Sequence, residues 1–179
     1  MKNSKLNRSF YNRPTLEAAK ELLGKYIVRK IGDKKLEGRI IETEAYIGPQ
    51  DKASHAFGGK ITLRNRAEYL DGGHIYIYLV YGMYWQLNIT TEKEGKPECV
   101  LIRALENSKK LINGPGKVCC YLKLDKSFNG EDLTKSKRIW FEDRGEKIKS
   151  SQILATGRIG IDYAGPYWSR RKWRFLLKS

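Results

Sequence analysis

Five stretches between residues 26 and 105 read as extended chain, and short turns join most of them, which leaves few ways to fold. The stretches 26–31, 36–47, 74–80, 85–90 and 98–105 are rich in β-branched and aromatic residues. Gly32-Asp33, Gly82-Met83 and Glu94-Gly95-Lys96-Pro97 mark turns. Strands joined by turns this short pair antiparallel. Two helices accompany them. Residues 15–23 offer Thr15 as a cap, an apolar stripe of Leu16, Ala19, Leu22 and Leu23, and Gly24 as a stop. A second helix is predicted over residues 115–121, opening on Pro115. The pattern predicts an α+β fold with a curved, mainly antiparallel sheet flanked by helices. The 179 residues hold no internal repeat or low-complexity linker, so a single domain is expected. Residues 1–12 carry no such pattern and are left open to disorder.

Charge narrows the partner. Lys and Arg total 35 against 20 Asp and Glu, giving a net charge of +15 and a pI near 9.7. Such a surface attracts polyanions by releasing their counterions. No apolar run is long enough to span a membrane, and the N-terminus lacks the apolar stretch of a signal peptide. Cys99, Cys119 and Cys120 make a poor disulfide framework, and His55 and His74 are too few for a zinc site. A reduced, cytoplasmic, monomeric protein without metal or cofactor is expected, with nucleic acid or an anionic membrane surface as its natural partner. The sequon Asn88-Ile89-Thr90 is taken as chance. Eleven tyrosines against five phenylalanines favour half-wet surfaces and base stacking.

Alternation along residues 36–47 puts Ile41, Thr43, Ala45 and Ile47 on one face and Glu42, Glu44 and Tyr46 on the other. Two carboxylates beside a tyrosine suit a solvated edge or the wall of a cleft. Residues 48–73 form a long irregular connection carrying His55, Lys60, Arg64 and Arg66, and loops of that length in small domains tend to serve function. The tail Trp168-Ser169-Arg170-Arg171-Lys172-Trp173-Arg174-Phe175 suits a strand or arm over a phosphate backbone, and equally a solvated terminus anchored by two tryptophans.

The stretch Arg39-Ile40-Ile41-Glu42-Thr43-Glu44-Ala45-Tyr46-Ile47-Gly48-Pro49 resembles the strand that bears the catalytic glutamate in the alkyladenine (3-methyladenine) DNA glycosylase family. The resemblance continues through Asp51-Lys52-Ala53-Ser54-His55, Arg64-Asn65-Arg66 and the run from Tyr76 to Tyr84. Leu87-Asn88-Ile89, Leu101-Ile102-Arg103-Ala104-Leu105-Glu106 and Gly114-Pro115-Gly116-Lys117 complete it. Together these motifs cover the chain from about residue 13 to the tail.

The resemblance implies a repair enzyme that meets double-stranded DNA and no membrane, flips a damaged purine (3-methyladenine, hypoxanthine or ethenoadenine) out of the duplex and hydrolyses its N-glycosidic bond, leaving an abasic site. Glu44 would be the general base for the attacking water, and Arg103 would help hold that water. Glu42 competes on the same face, and its position in the motif favours Glu44. Tyr46, His55 and Tyr78 would sandwich the flipped base, and Asn88 would disfavour guanine. Tyr81 would fill the gap left in the duplex, with Met83, Arg64 and Lys117 also on the DNA. Lys117 stands at a predicted helix start, a favourable place for a phosphate, though the spacing is not that of a nucleotide-binding loop. Leu63 and Asp71-Gly72-Gly73 depart from the family's pattern in what would be the DNA-facing loop.

Two other readings use the same residues. A DNA-binding module without catalysis would leave Glu44 and Arg103 as a structural ion pair. A glycoside hydrolase could use Glu42 and Glu44, roughly 6–7 Å apart along a strand. The net charge speaks against the latter.

Overall fold

The computed structural model of the chain describes residues 3–108 and 110–178. In chain order the elements are β1 (Ser4–Lys5), α1 (Arg8–Tyr11), α2 (Thr15–Glu21), β2 (Tyr26–Ile31), β3 (Lys34–Ile47), β4 (Ile75–Val80), β5 (Tyr84–Thr90) and β6 (Glu98–Asn107). There follow β7 (Lys110–Asn113), α3 (Pro115–Leu122), β8 (Ile139–Asp143), β9 (Ile153–Thr156), α4 (Pro166–Ser169) and β10 (Arg174–Leu177). The strands form one antiparallel sheet in the order β1-β8-β2-β3-β6-β5-β4, with β7 beside β6. The expected α+β class and antiparallel pairing are what the structure shows.

β3 is the spine of this sheet. One edge pairs with β6 from Arg39 to Ile47. The other edge changes partner: residues 34–39 pair with β2, and residues 42–44 pair with β10. A register shift around Ile41 accompanies the change. It puts Ile40 on the same side as Thr43, where strict alternation would separate them, because a bulge adds one residue to one strand only. Beyond the shift the predicted faces hold. Thr43 turns towards α2, its hydroxyl donating to the Ala19 carbonyl at 2.8 Å, and Glu42, Glu44 and Tyr46 face the other way.

Helices α2 and α3 cover the first face. Ala19, Leu22 and Leu23 from the α2 region and Val118, Cys119 and Leu122 from α3 pack on Ile40, Ala45, Leu87, Ile89, Val100 and Ile102. Thr15, expected to cap α2, does not. Pro14 occupies that position, and the buried Thr15 hydroxyl bonds Thr91 and Glu98 instead. Cys99, Cys119 and Cys120 are free thiols.

The N-terminal segment is part of the core over its described residues. Ser4 and Lys5 pair with β8, and Phe10 and Tyr11 are buried. This also relocates the Asp71-Gly72-Gly73 departure. Gly73 has φ +90° and lies under the Tyr11 ring, where a side chain would meet the ring at 2.6 Å. Arg8 donates to the Gly72 carbonyl, and Asn12 bonds Asp71 at 2.9 Å. The glycines therefore dock the N-terminal segment rather than face a ligand. Tail residues 174–177 form β10 inside the sheet, with Phe175 buried, so they are neither a free arm nor a solvated terminus.

Candidate active site

The second face of the sheet is covered by the long loop after β3 and by residues 157–165. Between them lies a cleft of about 500 Å³, bordered among others by Tyr46, His55, Tyr78, Arg103, Ile159 and Tyr163. That volume lies within the range of ligand clefts, roughly 300–1,000 Å³.

Glu44 sits behind the cleft wall with no exposed surface. Its carboxylate touches three residues that line the cleft. Oε1 accepts from the Ile159 backbone N–H at 2.8 Å, Oε2 accepts from the Tyr46 hydroxyl at 2.9 Å, and Arg103 Nη1 lies 3.4 Å from Oε2. Burial raises the Glu44 pKa above the ordinary carboxylate range, and Arg103, the Ile159 amide and Tyr46 oppose that rise.

Glu42 has a different environment. Its Oε1 accepts from Arg103 Nε at 2.8 Å and from Arg174 Nε at 2.6 Å. Two guanidiniums occupy this carboxylate, which leaves it no free approach to a leaving group and weighs against a paired-carboxylate hydrolase. It holds the Arg103 guanidinium beside Glu44.

Two further residues hold the Glu44 wall in place, and neither stood out in the sequence as part of a site. Asp51 and Arg158 form a fully buried bidentate pair, with contacts of 2.5 and 2.9 Å. Arg158 also donates to the Ala45 carbonyl at 3.0 Å and stacks over Tyr46, 4.7 Å from the ring centre. The pair fixes the chain next to Ile159, whose amide binds Glu44. Asp51 lies inside a recognised motif, but no local pattern announces a partner 107 positions away.

Tyr46, His55 and Tyr78 all line the cleft. The His55 and Tyr78 rings meet edge-on with centres 4.5 Å apart, and His55 Nδ1 lies 2.7 Å from the Tyr76 hydroxyl. Burial, with the nearby Arg64 cation, lowers the His55 pKa to about 4, so the ring is neutral at pH 7 although part of it is exposed. Asn88 is buried beneath the cleft, in a smaller hollow shared with Tyr76, Tyr78, Glu68 and Cys99. Its depth within β5 agrees with reading the sequon there as chance.

Tyr81 and Met83 project from the β4–β5 hairpin, 87% and 65% exposed. Tyr81 has φ +52° and has left the strand, so its side chain is free of the alternation that governs Tyr78. An exposed aromatic at a positive φ is costly in a tight turn and is retained where something uses it. Arg64 is exposed beside this hairpin, donating to the Leu79 carbonyl at 3.2 Å. Lys117 is exposed in the first turn of α3, where Gly116 lies against the Tyr84 ring. Leu63, next to Arg64 in the loop after β3, is 83% exposed.

Comparison with known proteins places the chain among the DNA glycosylases, hydrolases of N-glycosyl bonds. It belongs to the methylpurine-DNA glycosylase (MPG) family, whose sequence pattern matches residues 9–179. A relative from Methanocella arvoryzae is 44% identical over 190 residues, which covers 97% of this chain and 92% of that protein. One from Clostridium perfringens is 42% identical across 98% of this chain and 96% of its own length. A third, from Clostridioides difficile, is 40% identical across 97% of this chain and its whole length. All three carry the provisional name 3-methyladenine DNA glycosylase.

Proposed function

We propose that the protein excises alkylated or deaminated purines from duplex DNA with Glu44 as general base, leaving an abasic site uncut. The observation that carries this is the buried Glu44 carboxylate, tied to Arg103, Tyr46 and the Ile159 amide immediately behind an aromatic cleft. A flipped purine would stack between Tyr46, His55 and Tyr78, and an electron-poor alkylated base gains most from tyrosine faces. A water admitted past Arg103 and Ile159 would give its proton to Glu44 and attack the anomeric carbon. The bond to the purine nitrogen would break as the new C–O bond forms. The same carboxylate would steady the oxocarbenium charge that develops. Among the described residues no lysine lines the cleft, which favours water over an amine nucleophile and therefore base removal without strand cleavage.

The test is a duplex oligonucleotide carrying one hypoxanthine or one ethenoadenine, incubated with the protein and split into portions with and without alkali. Strand breaks only after alkali are expected. Breaks without alkali would replace water by an enzyme amine as nucleophile.

Tyr81 is assigned as the wedge. Removing it forfeits part of the stacking that offsets flipping, so Tyr81→Ala is expected to slow excision from duplex DNA about tenfold or more. Excision from the same strand unpaired should change little. An equal loss on both substrates would move Tyr81 from the duplex to the base pocket.

The pH profile has a defined sign. Glu44 works ionised and its pKa is raised by burial, so excision should fall on acidification already above the ordinary carboxylate range. An excision rate that stays flat down to about pH 4.5 would contradict a buried carboxylate base.

A further inference from the structure

Below the cleft, one acid has no part in the reaction above. Glu68 lies in the tight turn Arg66–Tyr69, which Asn65 braces through bonds to the His55 and Lys60 carbonyls at 3.0 and 2.9 Å. Glu68 is only 2% exposed and lines the small hollow under the stacking residues, with Tyr46, His55, Tyr76, Tyr78, Asn88 and Cys99. Its Oε1 accepts from the Cys99 thiol at 3.5 Å. Its Oε2 is buried without a hydrogen-bond partner, and no cation pairs with it among the described residues.

A buried carboxyl with one oxygen unsatisfied penalises folding, and the native state keeps such a group where something else completes it. The hollow shares Tyr46, Ala53, His55 and Tyr78 with the cleft above, so the edge of a base stacked there would face it. We propose that Glu68 is a substrate-binding residue, whose free carboxyl oxygen hydrogen-bonds an acceptor on the edge of the flipped purine. The proposal rests on the glycosylase reading of the cleft and adds to it the group that reads the base's edge.

The protonation state decides what Glu68 can offer. Burial pushes its pKa up to about 8, so at neutral pH it is a carboxylic acid with an O–H to donate. Hypoxanthine presents a carbonyl oxygen and ring nitrogens, and ethenoadenine presents ring nitrogens, so both supply acceptors. An ionised Glu68 would set lone pairs against them. The groups facing it do not titrate in the same range. Burial raises the pKa of Cys99 from β6, Tyr76 and Tyr78 from β4 and Tyr69 from its own turn, and His55 is held neutral. Beyond these, Arg64 acts on Tyr76, while Glu98 and the Arg158-bound Asp51 act on Cys99.

The experiment is single-turnover excision of hypoxanthine from duplex DNA between about pH 6 and about pH 9.5, for wild type, Glu68→Gln and Glu68→Met, with a melting curve for each. Wild-type excision should fall as the pH passes through about 8. Glu68→Gln keeps a donor and an acceptor without a titration, so its rate should stay within about threefold of wild type at pH 7 and lose the alkaline fall. Glu68→Met removes the hydrogen bond and should cut excision about tenfold at pH 7 while melting no lower than wild type. Wild-type rates and an unchanged alkaline fall in Glu68→Met would overturn the proposal, as would a Glu68→Gln variant no better than Glu68→Met. A wild type that excises no hypoxanthine at any pH, read as breaks after alkali, would instead overturn the proposed excision of deaminated purines, and Glu68's role with it.

Discussion

Glu44→Gln is expected to lower single-turnover excision by roughly 10²–10⁴-fold, the usual contribution of a positioned general base, with duplex affinity retained. The glutamine amide keeps the size of the side chain, and its oxygen can still accept from either the Ile159 N–H or the Tyr46 hydroxyl. It cannot take a proton from water. It also leaves Arg103 without one of its two carboxylates, while Glu42 continues to hold that guanidinium at 2.8 Å. The wall of the cleft should therefore survive and the chemistry should not. Excision assays at saturating enzyme, paired with a binding titration on the same duplex, separate the two. A parallel loss of binding and excision would make Glu44 a structural residue rather than the base.

The largest effect on stability is expected from Asp51→Ala. Arg158 would remain buried with its partner gone, and stranding one half of a buried pair costs about 3–5 kcal/mol. For a chain of this length that corresponds to a melting point lower by roughly 6–20 °C. The damage should extend to catalysis, because Asp51 also accepts from the Ala53 N–H at 2.9 Å and so ties the loop after β3 to the chain beside Ile159. Excision measured well below the lowered melting point should still be reduced, since the amide that positions Glu44 loses its support. Normal melting, or full excision by the folded variant, would show that the pair does not hold the site.

Much of this was legible in sequence because it is local. The turns at Gly32-Asp33 and Glu94-Gly95-Lys96-Pro97 separate the strands where the structure does, and β2 spans Tyr26–Ile31 as the pattern predicts. The shared face of Glu42, Glu44 and Tyr46 follows from the two-residue repeat of an extended chain. The cluster of Tyr46, His55 and Tyr78 was reached through resemblance rather than periodicity, since His55 sits in a loop with no repeat to read.

What stayed hidden depends on partners far along the chain. A bulge near Ile41 adds one residue where β3 exchanges β2 for β10, and no pattern within β3 records that exchange. Thr15 has the chemistry of a cap, yet a buried bond to Thr91 uses its hydroxyl. Glu68 reads as an ordinary surface glutamate in a charged loop, and only the packing of β4 and β6 over it removes its water. By itself the sequence determined which residues alternate, where the chain turns and which family it matches, because those properties are set by neighbours a few positions apart. The tertiary structure alone decided that Glu44 lies behind the cleft while Glu42 sits between two arginines, which aspartate is locked to Arg158 and that Glu68 is buried with one oxygen unpartnered, because desolvation and pairing arise only when distant segments close over them.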